Sequence, residues 1–266
     1  SFIGGTDIHI SNSVFKNIAY EPQGGLNAQY QNCALSIINC NDITISSSQF
    51  YLDFKAGAIY YQYSSCENPW WENAYIGGNT FTISQSNINS PLVTSFSSLS
   101  AIETPIRLEG NYFNNISGTS AIATTLNGVC GGTIKNNNFN NFSDGVIATN
   151  SSIDLYYNRF YSNIAGAKSI QGFSESNLNM SPNDEYYLGG YNRINTMNDE
   201  SKNIYVDNSY VFLENGENTF NISEFSGNGE KTYHIFGTFP SINEQQYPAA
   251  YNCFRIDNVD AEAYVD

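Results

Sequence analysis

Positive charge is scarce in this sequence. Lysine and arginine together number 10 in 266 residues, against 25 aspartates and glutamates, so the net charge is −15 and the isoelectric point about 4.3. Charged residues of either sign make up 13%, about half the usual share. With no basic field to displace phosphate counterions, the chain lacks an electrostatic grip on nucleic acid or on an anionic membrane surface. Long apolar runs are missing too. None approaches the roughly 18 residues that a membrane-spanning helix needs, which predicts no direct membrane insertion. Histidine occurs only as His9 and His234, and none of the five cysteines sits in a CxxC, so a zinc-like cluster is not expected. The N-terminus has no initiator Met, basic segment or apolar segment, which reads as a processed or excised piece.

What the sequence has in excess is asparagine, 38 residues, with 20 Tyr, 17 Phe and 21 Gly. This aromatic and β-branched content argues against disorder. The asparagines fall in a recurring segment: two apolar residues in alternation, a polar step with Asn or Ser, then Phe. It reads DIHISNSVFKNI at 7–18, DITISSSQF at 42–50 and AYIGGNTF at 74–81. It returns as IRLEGNYFNNI at 106–116, GTIKNNNFNNF at 132–142 and SIDLYYNRFYSNI at 152–164, with weaker copies at 187–194 and 211–222. The repeated aromatic is Phe15, Phe50, Phe81, Phe113, Phe139 and Phe160, continued by Ile194 and Phe220 at spacings of 35, 31, 32, 26, 21, 34 and 26 residues. A second apolar patch precedes most copies, as in Ala121-Ile122-Ala123 and Gly145-Val146-Ile147-Ala148.

Alternation in Ile8/Ile10, Ile43/Ile45, Ile106/Leu108 and Ile153/Leu155 is the period of a half-buried strand. The segments are too short for helices, and their Asn, Gly and β-branched content disfavours helix. One unit cannot enclose a core, whereas stacked coils can, each strand pairing in parallel with its copy about 4.8 Å away. The expected fold is therefore all-β, a right-handed single-stranded parallel β-helix of about eight or more coils with irregular loops. Phe and Ile should stack in ladders inside. The turn asparagines Asn79, Asn111, Asn137, Asn158, Asn192 and Asn218 should adopt the left-handed conformation and bond to one another. The β-helix is expected over 1–222, and 223–266, where the pattern fades, reads as last coils, a cap or a docking extension.

The pattern resembles the repeat of the pectin-lyase-like superfamily of right-handed parallel β-helices. AGAIY at 56–60 is similar to the G-G-A-I element of β-helical surface proteins and autotransporter passengers. The fold hosts lyases, hydrolases, adhesins and inert stalks, so it does not choose an activity. The adjacent Asp pair, G-H-G and R-x-K of polygalacturonase-like sites are absent, and His9 and His234 are not flanked by glycine. No catalytic or metal-binding residue is assigned and no cofactor is expected, although the acidic residues and turn carbonyls leave Ca²⁺ open. Asp154 with Glu109, or Asp184 with Glu185, are carboxylate pairs that matching coil phases would bring near each other. Arg159 and Arg193 both follow the turn Asn and would form a basic row of two, or simply be solvated turn residues.

Cys33 and Cys66 lie 17 and 15 residues before their Phe, in adjacent coils, a placement that suits a disulfide. Cys40 and Cys130 share a phase but stand about three coils apart, too far to pair. Sequons at Asn115, Asn141, Asn150, Asn179 and Asn221 are glycosylation candidates. Trp70 and Trp71 offer rings for stacking on sugars, or plug a long loop. Together these features lead to the expectation of a non-catalytic extracellular or cell-surface solenoid, structural or adhesive, that self-associates head to tail in a fibre or adjoins further domains. A carbohydrate-active enzyme or binding module acting on an extracellular polysaccharide is the alternative.

Overall fold

A computed structural model describes residues 1–16, 33–52, 57–63, 74–85, 91–97, 106–181, 190–196, 201–213, 216, 218–220, 233–238 and 255–256. Within them the backbone forms short strands in three parallel sheets, and the chain visits the sheets in rotation. Coil 5 shows the unit: Ile122–Asn127 in the first sheet, Cys130–Lys135 in the second and Asn138–Asn140 in the third. Coil 6 repeats it with Asp144–Thr149, Ser152–Tyr156 and Arg159–Ser162, and coil 7 with Lys168–Phe173, Asn177–Asn179 and Arg193–Thr196. The three sheets hold nine, eight and nine strands, so eight full coils and part of a ninth form a right-handed parallel β-helix. At about 4.8 Å per layer the stack rises roughly 38 Å. Two strands within 223–266, Tyr233–Thr238 and Arg255–Ile256, pair onto the first and third sheets as the ninth layer.

Register is fixed by what points inward. Phe15, Phe50, Phe81, Phe113, Phe139 and Phe160 are direct partners in successive coils, followed by Ile194 and Phe220. The first six rings stack with centroids 4.6–4.9 Å apart and interplanar angles of 3–13°. A one-residue slip in any strand would turn its inward set to water, so burial itself locks the register. Opposite this column lie Ile45, Ile76, Leu108, Ile134 and Leu155, all buried.

The corner between the second and third sheets carries the asparagine ladder. Asn79 donates from both its backbone N and its Nδ2 to Oδ1 of Asn111, and Asn111 does the same to Asn137. The series runs on through Asn158 and Asn192 to Asn218. Each Nδ2 also donates to a strand carbonyl one coil back, for example Asn111 to Ile76 at 2.8 Å and Asn158 to Ile134 at 2.7 Å. Ser13 and Ser48 extend the ladder to the first two coils. These buried amides are thus fully paired, as a buried polar column must be.

The left-handed residue is not the ladder asparagine but the one before it: Asn12, Ser47, Gly78, Gly110, Asn136, Tyr157 and Tyr191 have φ of 49–65°. The turn needs one residue with positive φ to swing the chain round, and only then can the next side chain point inward to the ladder.

The corner between the first and second sheets has a serine ladder that the repeat pattern did not reveal. Val129 N donates to Ser151 Oγ, Ser151 N to Ser176 Oγ and Ser176 N to Ser209 Oγ, at 3.1–3.2 Å. Cys40 holds the same place in the second coil. Its Sγ accepts from Gly5 N and donates to the Ile38 carbonyl, both at 3.3 Å. Cys40 therefore shares a phase with Val129, one residue before Cys130, and it is buried whereas Cys130 is exposed. A bulge follows between Cys130 and Gly132, where Gly131 has φ of 81°.

Candidate functional surface

Because successive coils share one register of inward core residues, the outward positions of each sheet form straight rows along the rod, one residue per coil. On the second sheet one row runs Tyr75, Arg107, Thr133, Asp154, Asn179 and the next runs Glu109, Lys135, Tyr156. Glu109 is held between two cations, Arg107 at 2.5 Å and Lys135 at 3.6 Å. The Arg107 guanidinium also lies 5.8 Å from the centre of the Tyr75 ring. Asp154 accepts from Asn179 Nδ2 at 2.9 Å. Beside it Tyr156 is buried although it stands on the outer side of its strand. Burial raises the pKa of this phenol well above its ordinary value, and the negative charge of Asp154 adds to the effect. Glu109 and Asp154 thus share a face, two coils and two residues apart, with Lys135 in the coil between them.

The third sheet presents Tyr112, Asn138, Arg159 and Arg193 in one row and Asn114, Asn140, Tyr161 and Asn195 in the next. Arg159 and Arg193 are direct register partners, as their shared position after the turn Asn implied. Asn140 Nδ2 donates to Asn114 Oδ1 at 2.8 Å, a polar ladder on the outside. Just before the arginines the chain turns at Tyr157 and Tyr191, whose rings stack at 5.2 Å with an interplanar angle of 6°. Both tyrosines have positive φ, 56° and 49°. A bulky residue in this region costs on the order of 1–2 kcal/mol, which the Gly78 and Gly110 coils avoid.

The expected site residues fall as follows. Cys33 opens the strand Cys33–Ile38 opposite Gly57, and burial pushes its thiol up to about 11. Cys66, Trp70, Trp71, Asn221, Asp184 and Glu185 lie outside the described residues. Asn115 is buried, and its Nδ2 donates to the carbonyls of Thr119 and Asn141 at 2.8 and 2.7 Å. Asn141 donates back to the Asn115 carbonyl at 3.3 Å. Asn179 is tied to Asp154, whereas Asn150 stands exposed in a left-handed turn. Among the described residues no helix is long and apolar enough to cross a membrane, and no group of three His, Cys, Asp or Glu is placed to hold a metal ion. Compared with models of known protein families, with curated proteins and with solved structures, the chain matches none.

Two features of this surface escaped the sequence reading: the strained tyrosine pair and the shielded Asp154–Tyr156 pair. The first had a signal, since Tyr-Asn-Arg occurs at both 157–159 and 191–193. The second depends on burial, which no local pattern encodes.

Proposed function

We propose that the protein is a non-catalytic structural or adhesive solenoid of the extracellular space or cell surface, akin in architecture to the β-helices of the pectin-lyase-like superfamily, whose coils can be extended by a second copy. The observation that carries this reading is the unbroken column of Ser and Asn at one corner from Ser13 to Asn218, with the phenylalanine stack beside it. Ladders that pass through every layer make a stiff rod, because bending it would break hydrogen bonds and ring contacts in many coils together. Among the described residues the first coil pairs on one side only, with Phe2, Ile3 and Val14 exposed by 39, 73 and 56%. A coil from another copy would continue all three sheets there, and such a head-to-tail contact repeats into a filament.

The test is light scattering across a wide range of concentration. Wild-type protein should grow into elongated species, and Ile3→Asp should stay monomeric with unchanged circular dichroism. A wild-type chain that remains monomeric throughout, with no interface above about 1,000 Å² between copies, sinks the filament reading.

One observation favours the alternative of a carbohydrate-active enzyme: Glu109, Lys135, Asp154 and Tyr156 meet on one face. Incubation with neutral and acidic polysaccharides would then release new reducing ends, and Glu109→Gln or Asp154→Asn would abolish the release. The solenoid reading expects no release from either chain.

A further inference from the structure

We propose that the corner formed by Tyr157, Arg159, Tyr191 and Arg193 binds a saccharide unit carrying one anionic substituent, a carboxylate or a sulfate ester. The site would give the adhesive reading above its ligand and rests on that reading for its purpose, although binding and assembly are measured separately.

Side chains are described for seven basic residues. Lys16 lies over the Tyr51 ring, Lys168 over the Tyr205 ring, Arg107 and Lys135 hold Glu109, and Lys202 is engaged as well. Among the described residues Arg159 and Arg193 have neither a carboxylate nor a ring, and both are exposed. In a chain of net charge −15 with 25 acidic residues, two unpaired cations side by side are unexpected. They face each other across neighbouring strands, about 4.8 Å apart at the backbone, where like charges oppose folding. The fold gains nothing from this pair, whereas an anion between the two guanidiniums would receive charge-assisted hydrogen bonds from both.

The second observation is backbone strain at the same two coils. Tyr157 and Tyr191 occupy the positive-φ position that Asn12, Ser47, Gly78, Gly110 and Asn136 fill elsewhere. The turn requires no aromatic, so the strain points to the rings themselves. They lie parallel, with Tyr191 exposed by 39%, and each precedes its arginine by two residues. Such a ring surface suits the flat apolar face of a sugar.

Charge also limits the ligand. A long polyanion would be repelled by a chain of net charge −15, whereas a unit bearing one charge would meet the arginines with less opposition.

Calorimetric titration of the full chain with glucose, glucuronate and glucose 6-sulfate tests this at low and high salt. Glucuronate, glucose 6-sulfate or both should bind at least about tenfold tighter than glucose, the factor a single charge-assisted hydrogen bond supplies, and added salt should shrink the difference. The stronger of the two acids identifies the group. Arg159→Gln and Arg193→Gln should each erase the preference without lowering Tm, and Arg107→Gln should leave it intact. Tyr191→Asn keeps a residue suited to the turn and should weaken all sugars that bind by the same factor, again without lowering Tm. Equal binding of glucose and both acids, no binding of any at millimolar sugar, or a preference that survives Arg159→Gln and Arg193→Gln overturns the proposal. Light scattering on the same variants reads assembly, so failure of the site and failure of the filament are distinct results.

Discussion

The asparagine ladder shows how one side chain can do the work of a whole layer. Asn137 accepts from the backbone N and the Nδ2 of Asn111, and donates to the carbonyls of Leu108 and Lys135 and to Asn158. Asn137→Ala would deprive the Asn111 N–H and the Leu108 carbonyl of this buried side-chain partner, a loss of about 2–6 kcal/mol at roughly 1–3 per group. Denaturant titration measures it, and Asn140→Ala, outside on the third sheet, should cost far less. Ionisation behaves as sharply. The folded pKa of Tyr156 is raised, so its contribution to stability is intact below the ordinary phenol pKa of about 10 and is lost as pH rises above it. Cys33, raised from 9.0 to about 11, adds a loss that falls between those values. Tyr156→Phe should flatten the decline of Tm above about pH 10 while leaving the Cys33 portion below it.

At the scale of the element, the turn decides the coil. A positive-φ residue followed by an inward Ser or Asn recurs at two corners, and the strands between them are only as long as one face of the rod requires. The close packing of these faces is visible at Gly145, buried in the strand Asp144–Thr149. A Cβ there would stand 2.5 Å from the Ser169 carbonyl and 2.9 Å from the Phe160 ring. Gly145→Ala should therefore destabilise by about 1–3 kcal/mol, read as a fall in Tm without loss of β signal in circular dichroism. Glycosylation also follows from the turns. If the chain is expressed in a secretory pathway, the exposed Asn150 should carry glycan, whereas modification of Asn115 would require breaking its two buried hydrogen bonds. Mass spectrometry of the glycopeptides separates the two.

For the whole molecule, the sequence was informative where the repeat is strict. The Phe column, the Asn column and the three-segment unit could be read because the inside of a solenoid demands the same residue at the same depth in every coil. The serine ladder was hidden because Cys40 and Val129 interrupt it. The left-handed residue was misplaced by one because Asn itself tolerates positive φ, although Gly78 and Gly110, one position before the ladder Asn, marked the turn. The outer faces are harder still, since no core constrains them. Whether Glu109 is bound or Arg159 unpaired depends on partners from other coils, which the linear sequence does not bring together. This division fits the proposed role: an inside fixed by stacking, and an outside free to vary for contact.

One continuous amide column holds the coils together, and hydrogen exchange measures its contribution most directly. In perdeuterated protein, the side-chain Nδ2 protons of Asn79, Asn111, Asn137, Asn158 and Asn192 should exchange only through global unfolding, with the same denaturant dependence as the strand amides around them. If those protons exchange as fast as the outer amide of Asn140 while the strands stay protected, the column does not bind the coils.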